Sequence, residues 1–302
     1  MISINFFGTH DFAAGILQAL IDSGLFEIKT VFTAPDRPVG RHQEITESPV
    51  KILAKKNNLK IVQPETLKNF DFTPYDAELN IVCQYGFLIP KNILDGTRNG
   101  SINVHTSLLP KYRGASPIQT ALMNGDTETG VTIMFMDEMM DHGPILAQET
   151  VEVAPTDTYT DLTVKLLKKA KFLLVDTAQK WVLGPKMTPQ PQDETKVTKC
   201  RLIGRNDGKI DFMTQTASQI YNLYCAFTPW PGVWTEVNGK RLKLLKIDRT
   251  DKKIAPGKIL AENERIFFGC SDGAIEAIEL QLEGKKPMTA KIFLNGYRAM
   301  IC

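Results

Sequence analysis

Short apolar runs alternate with amphipathic stretches through the first half of the chain. The runs are rich in Ile, Val and Phe and are bounded by polar or turn-forming residues, which is the pattern of β-strands. They occupy residues 2–7, 29–32, 59–62, 79–83, 101–104 and 131–136. Because strands that alternate with helices form a mostly parallel sheet covered by helices, this half is predicted to be an α/β domain.

Two helices can be placed from residues that favour helix ends. Asp11 is the expected N-cap of the first helix, and a Ser-Gly pair at 23–24 ends it. In the second, Ser116 precedes Pro117, which is the usual order of an N-cap and a first helical residue, and an Asn-Gly pair ends the helix at 124–125.

The second half of the chain has a different composition. A long helix follows Asp157, and its apolar stripe, from Leu162 to Trp181, is expected to cover the sheet. We therefore assign residues 1–184 to the first domain and the Pro-rich stretch 185–205 to an extended linker. Beyond it, short runs are separated by turn sequences at 206–208, 238–239, 256–257, 272–273 and 295–296. This spacing predicts a small C-terminal β-barrel over residues 206–302.

Length and composition agree with a two-domain globular protein. The chain has 302 residues, of which 43% are hydrophobic and 23% charged, and a formal net charge of +2. That charge excludes nucleic-acid binding by a uniformly basic surface, though not by a local patch. The five scattered cysteines favour reduced thiols over a disulfide framework or zinc site, and no apolar run approaches the length of a membrane span. We expect a soluble, cytoplasmic protein.

Asn103 and His105 are the first candidates for chemistry. They lie two residues apart on a predicted strand, so their side chains leave the same face at the carboxyl end, where α/β sheets bind ligands. An amide and an imidazole together can stabilise a developing oxyanion and transfer a proton. The competing interpretation is a strand-end histidine that is bonded to a backbone carbonyl.

Asp141 is a third candidate, in a turn that follows the strand at 131–136. If that strand lies near the Asn103 strand, the carboxylate could orient His105. The alternative is a turn aspartate that caps its own backbone, which we prefer for Asp137. These residues lack the spacing of metal ligands, so no metal is expected.

Two basic segments could contact phosphates. A Pro-rich loop after the second strand carries Arg37 and Arg41, and residues 240–258 hold eight Lys or Arg, including Lys240 and Arg241, against two Asp. Such an excess can bind nucleic acid, although a solvated surface is its commoner explanation.

The segment Asn103-Val-His-Thr-Ser-Leu-Leu-Pro110, followed by Arg113-Gly114 and Asp141-His-Gly143, resembles the 10-formyltetrahydrofolate-dependent formyltransferases. The resemblance covers nearly the whole chain. Further matches are Phe7-Gly-Thr9, Pro35-Asp-Arg-Pro38, Ser48-Pro-Val-Lys51, Thr188-Pro-Gln-Pro-Gln192, Pro229-Trp-Pro-Gly232, Gly284-Lys-Lys286 and Phe293-Leu-Asn-Gly296. Those in the second domain, with the Pro35 loop, are similar to members that act on a tRNA.

The resemblance implies a Rossmann-like formyltransferase domain, an OB-like barrel that binds tRNA, and transfer of a formyl group from 10-formyltetrahydrofolate to methionine on initiator tRNA. The implied catalytic residues are Asn103, His105 and Asp141. The implied folate-binding residues are Ser107, Leu108, Leu109, Pro110, Tyr85 and Phe87. The implied tRNA-binding residues are Arg37, Arg41, Lys240, Arg241, Lys285 and Lys286.

Other functions remain open at this point. A sugar-nucleotide N-formyltransferase would share the first domain, a formyltetrahydrofolate hydrolase would use water in place of the amine, and an RNA-binding module would need no catalysis. We expect a monomer with neither a DNA nor a membrane partner.

Overall fold

A computed structural model describes residues 1–39, 44–185 and 187–301. The chain forms two compact units. Unit 1 comprises Met1–Gly114, Glu128–Glu152 and Thr163–Cys200, and unit 2 comprises Ala115–Thr127, Val153–Leu162 and Arg201–Cys302. Within the described residues, no helix is both long and apolar enough to cross a membrane.

The strands are β1 (Ile2–Gly8), β2 (Phe26–Phe32), β3 (Arg37–Val39), β4 (Glu44–Thr46), β5 (Ile61–Val62), β6 (Leu79–Cys83), β7 (Ser101–His105), β8 (Arg113–Gly114), β9 (Glu128–Phe135), β10 (Ile145–Glu152), β11 (Lys199–Cys200), β12 (Val233–Val237), β13 (Lys240–Thr250), β14 (Ile259–Glu262), β15 (Arg265–Gly269), β16 (Ala274–Leu282) and β17 (Met288–Thr289). The α-helices are α1 (Asp11–Asp22), α2 (Pro49–Lys56), α3 (Lys91–Leu94), α4 (Pro117–Asn124), α5 (Tyr159–Leu183), α6 (Ala217–Phe227) and α7 (Ala290–Tyr297). Short 3₁₀ turns occur at Glu194–Lys196, Arg205–Gly208 and Arg298–Met300.

Unit 1 is built on one seven-stranded sheet with the order β10-β9-β7-β6-β1-β2-β5. The pairs from β7 to β5 are parallel, whereas β9 and β10 are added antiparallel at one edge. This arrangement confirms the predicted mostly parallel α/β sheet. It also places β9 directly beside β7, with Ile102 opposite Phe135 and His105 opposite Thr132, so the turn after β9 begins beside the amino end of β7.

The helix ends agree with most of the predicted boundaries. The N-cap of α1 is His10, and Asp11 is its first helical residue, so the expected cap is wrong by one position. Helix α4 follows the prediction, with Ser116 as N-cap and Gly125 in the left-handed conformation, φ 69°, as C-cap. In α5, the predicted stripe includes the fully buried residues Leu162, Leu166, Ala170, Leu174 and Ala178.

Unit 2 contains the antiparallel sheet β12-β13-β16-β15-β14, with β17 paired to β16. It confirms the predicted C-terminal β-rich domain. The turn pattern did not predict α6, which begins with a capping box between Thr216 and Gln219. Residues Ile220, Ala226 and Phe227 of α6 are buried, so the helix belongs to the core of this unit.

Candidate active site

His105 is buried at the end of β7, and both of its ring nitrogens face protein oxygens. Nδ1 lies 3.6 Å from Oδ1 of Asp141, and Nε2 lies 3.1 Å from the main-chain oxygen of Tyr112. β9 runs antiparallel to β7, so the turn after β9 begins beside Ile102, and Asp141 of that turn reaches back to the His105 ring. The structure thus brings together two of the three residues predicted to be catalytic.

Asp141 is held in a defined position. Its backbone lies in the left-handed region, with φ 51°, where a non-glycine residue is uncommon. Its second carboxylate oxygen, Oδ2, accepts a hydrogen bond of 2.8 Å from the main-chain N–H of Gly114. One carboxylate therefore links the β8 backbone to the His105 ring. Asp137, by contrast, accepts from the N–H of Met139, which agrees with its interpretation as a turn residue.

Asn103 lies two residues before His105 on β7, so both side chains project from one face of the sheet. Its register partners are Val82 on β6 and Met134 on β9. The residue is half-buried. No hydrogen bond to its side-chain amide occurs among the described residues, which leaves both a donor and an acceptor for a ligand.

The segment 107–110, predicted to contact folate, is fixed by polar side chains on β9 and β10. Thr132 Oγ1 donates to the Ser107 oxygen at 2.6 Å and accepts from the Leu109 N–H at 3.1 Å. Gln148 Nε2 donates to the Leu109 oxygen at 2.8 Å. Leu108 is half-buried, Leu109 is buried, and the peptide bond before Pro110 is cis. The sequence analysis did not identify Thr132 or Gln148. The available signal was that each is a polar residue at an alternate position of a strand, and that the two strands pair.

The other two predicted folate residues, Tyr85 and Phe87, belong to an aromatic cluster. Their ring centroids are 5.4 Å apart, and Tyr85 packs edge-on against Phe7, which itself stacks on Phe32. The Tyr85 hydroxyl is buried and has no hydrogen-bond partner among the described residues. Burial raises the pKa of this hydroxyl, so it is a neutral donor that can bind an acceptor on a ligand.

A third group of residues, also not identified from the sequence, supports the Asp141 turn. Gln192 Nε2 donates to the main-chain oxygens of Asp141 and Gly143, both at 2.8 Å. Its Oε1 accepts from Arg113 Nε at 3.0 Å, and Arg113 also pairs with Glu194. Gln192 and Glu194 lie within the stretch predicted as a linker, where no apolar periodicity marks them, and Arg113 lies in β8.

The five predicted tRNA-binding residues that the structure describes are exposed. Arg37 is on β3 in unit 1, whereas Arg41 lies outside the described residues. Lys240 and Arg241 begin β13, and the Arg241 N–H bonds to the carboxylate of Glu283 in the turn after β16. Lys285 and Lys286 follow in that same turn. Four of the six predicted cations therefore lie at one end of the β13–β16 ladder.

The described residues contain no cluster of three or more His, Cys, Asp or Glu that could hold a metal ion. The groups found at the end of β7 are the His105 imidazole and the Asp141 carboxylate, with the Asn103 amide two residues earlier on the strand. These are groups suited to proton transfer and to binding a developing negative charge.

Two family models match the chain. The model described as formyl transferase matches residues 2–178, and the one described as formyl transferase, C-terminal domain, matches residues 202–298. The chain belongs to the formyl transferase family. The first match contains Asn103, His105 and Asp141, and the second contains the four basic residues at the end of the β13–β16 ladder.

Relatives that match over nearly the full length of the chain are named methionyl-tRNA formyltransferase. The chain is 44% identical over 307 aligned positions to the methionyl-tRNA formyltransferase of Caldicellulosiruptor saccharolyticus, covering 98% of this chain and 97% of that protein. It is 42% identical to the methionyl-tRNA formyltransferase of Acidobacterium capsulatum, covering 96% and 95%. The similarity therefore extends through both units.

Solved structures share the fold at lower identity. An N-formyltransferase from Helicobacter canadensis, in complex with folinic acid and dTDP-3-aminofucose, has a TM-score of 0.67 and 21% identity, covering 92% of this chain and 99% of that one. A sugar 3N-formyltransferase has a TM-score of 0.68 and 22% identity, covering 95% and 99%. At these identities the likeness supports the fold alone.

Proposed function

We propose that the chain transfers the formyl group of 10-formyltetrahydrofolate to the α-amino group of methionine on initiator tRNA, the first step that marks this tRNA for translation initiation. The observation that carries the proposal is the buried contact of His105 with Asp141, beside the unbonded amide of Asn103. The chain is 44% identical over nearly its full length to a methionyl-tRNA formyltransferase, which supports methionyl-tRNA as the acceptor of the formyl group.

The α-amine of methionine must be neutral to attack, and with a pKa of about 8 it is mostly protonated at neutral pH. As the new C–N bond forms, the amine loses a proton to solvent and negative charge develops on the formyl oxygen. The bond from the formyl carbon to N10 of the folate then breaks, and the leaving nitrogen takes up a proton from His105 or from water. Asn103 supplies a hydrogen-bond donor to the formyl oxygen, and a protonated His105 supplies positive charge. Asp141 keeps the imidazole in place and stabilises its charged form.

The residues present fit the folate co-substrate, which carries the formyl group on N10. The orphaned Tyr85 hydroxyl offers a buried donor, and the rings of Tyr85 and Phe87 offer an apolar surface for a heterocycle. The segment 107–110 follows His105 closely in sequence and is held in place by the side chains of Thr132 and Gln148. We assign Ser107, Leu108, Leu109 and Pro110 to this site.

The tRNA side of the proposal rests on the exposed cations. Lys240, Arg241, Lys285 and Lys286 form one local basic end of the unit 2 sheet, and Arg37 provides a cation on unit 1. Phosphate attraction by such residues supplies the sequence-independent part of RNA affinity. We also propose that the protein is a cytoplasmic monomer with no DNA partner, and that residues 1–184 and 206–302 form the catalytic and tRNA-binding domains.

The decisive experiment follows a labelled formyl group from 10-formyltetrahydrofolate to three acceptors: methionyl initiator tRNA, methionyl elongator tRNA and a sugar-nucleotide amine. We expect transfer to the initiator tRNA, with His105→Ala as the inactive control. Preferential labelling of the sugar amine would identify a sugar-nucleotide N-formyltransferase. Release of formate without any acceptor would identify a hydrolase.

A further inference from the structure

The position of Asp141 depends on groups outside its own turn. Its left-handed backbone, with φ 51°, is unfavourable for a residue other than glycine, so the surroundings must hold it. The Gly114 N–H holds the carboxylate through Oδ2. The main-chain oxygen of Asp141 is held separately, and that contact comes from the side chain of Gln192.

Gln192 joins both sides of the Asp141 turn. Its single amide nitrogen has two hydrogens, and one is directed to the oxygen of Asp141 while the other is directed to that of Gly143, each at 2.8 Å. The residue is half-buried and 51 positions after Asp141 in sequence. A single side chain thereby fixes the carbonyls on either side of residue 142.

The orientation of the Gln192 amide is determined by its neighbours. Arg113 Nε donates to Oε1 at 3.0 Å, so the amide oxygen must face the guanidinium and the nitrogen must face the two carbonyls. Arg113 is itself buried and bonded through both terminal nitrogens to Glu194, at 3.2 and 2.6 Å. The guanidinium lowers the pKa of the Glu194 carboxyl, which keeps this pair charged.

We propose that Gln192 is a positioning residue that holds the Asp141 carboxylate against His105 through its two hydrogen bonds to the turn. The inference rests on the proposed formyl transfer. Among the described residues, the side chain of Gln192 forms hydrogen bonds with the backbone of the turn and with Arg113, so we expect its effect on the reaction to pass through Asp141. Loss of the two donors would let the turn relax and withdraw the carboxylate from the imidazole.

The first test uses Gln192→Glu, which preserves the shape of the side chain and its contact with Arg113 but replaces the donors with a carboxylate oxygen. Displacement of a catalytic group by about 1 Å costs on the order of 100-fold in rate, so we expect kcat to fall by that order. The KM values for folate and tRNA should change little, because Gln192 touches neither. Gln190→Ala is the matched control, since that exposed side chain bonds only to Thr188.

A double-mutant cycle distinguishes positioning from a general loss of structure. If Gln192 acts through Asp141, Gln192→Ala in an Asp141→Asn background should reduce kcat by less than about twofold further. Additive losses would overturn the proposal, as would a wild-type kcat in both Gln192 variants. A rise in both KM values at unchanged kcat would also overturn it.

Amide hydrogen exchange at Gly114 provides a readout that does not depend on activity. The Gly114 N–H is protected by Asp141 Oδ2, so Gln192→Glu should accelerate its exchange by at least tenfold, while Gln190→Ala should not. Unchanged exchange at Gly114 in Gln192→Glu would refute the positioning role. If the wild-type protein transferred no formyl group, the proposed function would fail, and this measurement would still decide whether Gln192 positions Asp141.

Discussion

The imidazole Nε2 of His105 lies 3.1 Å from the main-chain oxygen of Tyr112. A carbonyl oxygen only accepts hydrogen bonds, so Nε2 must carry a hydrogen in this arrangement. Nδ1 then faces the Asp141 carboxylate, an attractive contact when that nitrogen is also protonated. The contact with Tyr112 therefore favours the Nε2–H tautomer of the neutral ring.

Histidine-selective NMR can check this tautomer. We expect the neutral form of His105 to carry its hydrogen on Nε2. His142 is the internal control, because its Nδ1 lies 2.6 Å from Asp137 Oδ2 and should carry the hydrogen instead. Detection of the Nδ1–H tautomer at His105 would contradict the arrangement of the site.

The predicted catalytic residues can be tested by substitution. Asn103→Ala and His105→Ala should each lower kcat by about 100-fold to 1000-fold, the cost of removing an oxyanion-stabilising donor. Asp141→Asn should also lower kcat and alter the pH-rate profile, since it keeps the shape but removes the charge that favours imidazolium. Thermal unfolding should show that all three variants fold. Near-wild-type kcat with saturating tRNA would remove that residue from the mechanism.

The basic end of the unit 2 sheet should contribute to tRNA affinity through phosphates. Lys285→Ala and Lys286→Ala should each weaken binding and reduce the slope of log affinity against log salt by about one. Lys180→Ala is the control, because this exposed lysine on α5 is paired with Asp176. Identical slopes for wild type and the two variants would show that the turn does not meet the RNA.

Gly114 should be far less tolerant of a side chain than Gly24, although both have positive φ. A Cβ at Gly114 would lie 2.1 Å from the oxygen of Cys200, whereas at Gly24 nothing lies within 4 Å. Gly24→Ala should therefore cost about 1 kcal/mol from backbone strain alone. Gly114→Ala should cost clearly more in the free energy of unfolding, measured in urea, and should reduce kcat by shifting the N–H that holds Asp141. If the two substitutions lowered the free energy of unfolding equally, the β8–β11 pair would accommodate the added methyl group without cost.

Burial should suppress the reactivity of two thiols in a pH-dependent way. It raises the pKa of both Cys225 and Cys270 to about 11. Only the thiolate reacts, and at pH 8 a thiol with such a pKa is about 0.1% ionised, against about a quarter for an ordinary cysteine. In the native protein, alkylation at Cys225 and Cys270 should thus be slow and keep accelerating up to pH 10, with the same two residues in urea-unfolded protein as the reference. Native rates equal to unfolded rates would disprove this.

Much of the unit 1 sheet was predictable because the pattern that identifies each strand lies within the residues of that strand. Apolar β-rich runs identified β1, β6, β7 and β9 to within a few residues, and the period of α5 matched its buried stripe. The proximity of Asp141 to His105 followed from one assumption, that the strands before them are neighbours. Helix α6 was not predicted, although Thr216 and Gln219 form the capping-box pattern at its start.

The support of the site could not be predicted from pattern. Gln192 lies between proline and aspartate in a polar stretch, and its partners are main-chain oxygens 49 and 51 residues earlier. A side chain that bonds to main-chain oxygens produces no periodic pattern in the sequence. Every residue has a main-chain oxygen, so the identity of the partner residue gives no clue either. Thr132 and Gln148 were not predicted either, since a polar residue on a strand has many possible roles.

The order of synthesis gives the Gln192 contact a further consequence. A ribosome completes β7 and the Asp141 turn well before it adds residues 187–200. A nascent chain that ends ahead of Gln192 can form the parallel sheet, because early segments fold first. It cannot yet donate to the oxygens of Asp141 and Gly143. A growing chain should therefore acquire the ability to transfer formyl groups only late in translation, after its sheet has formed.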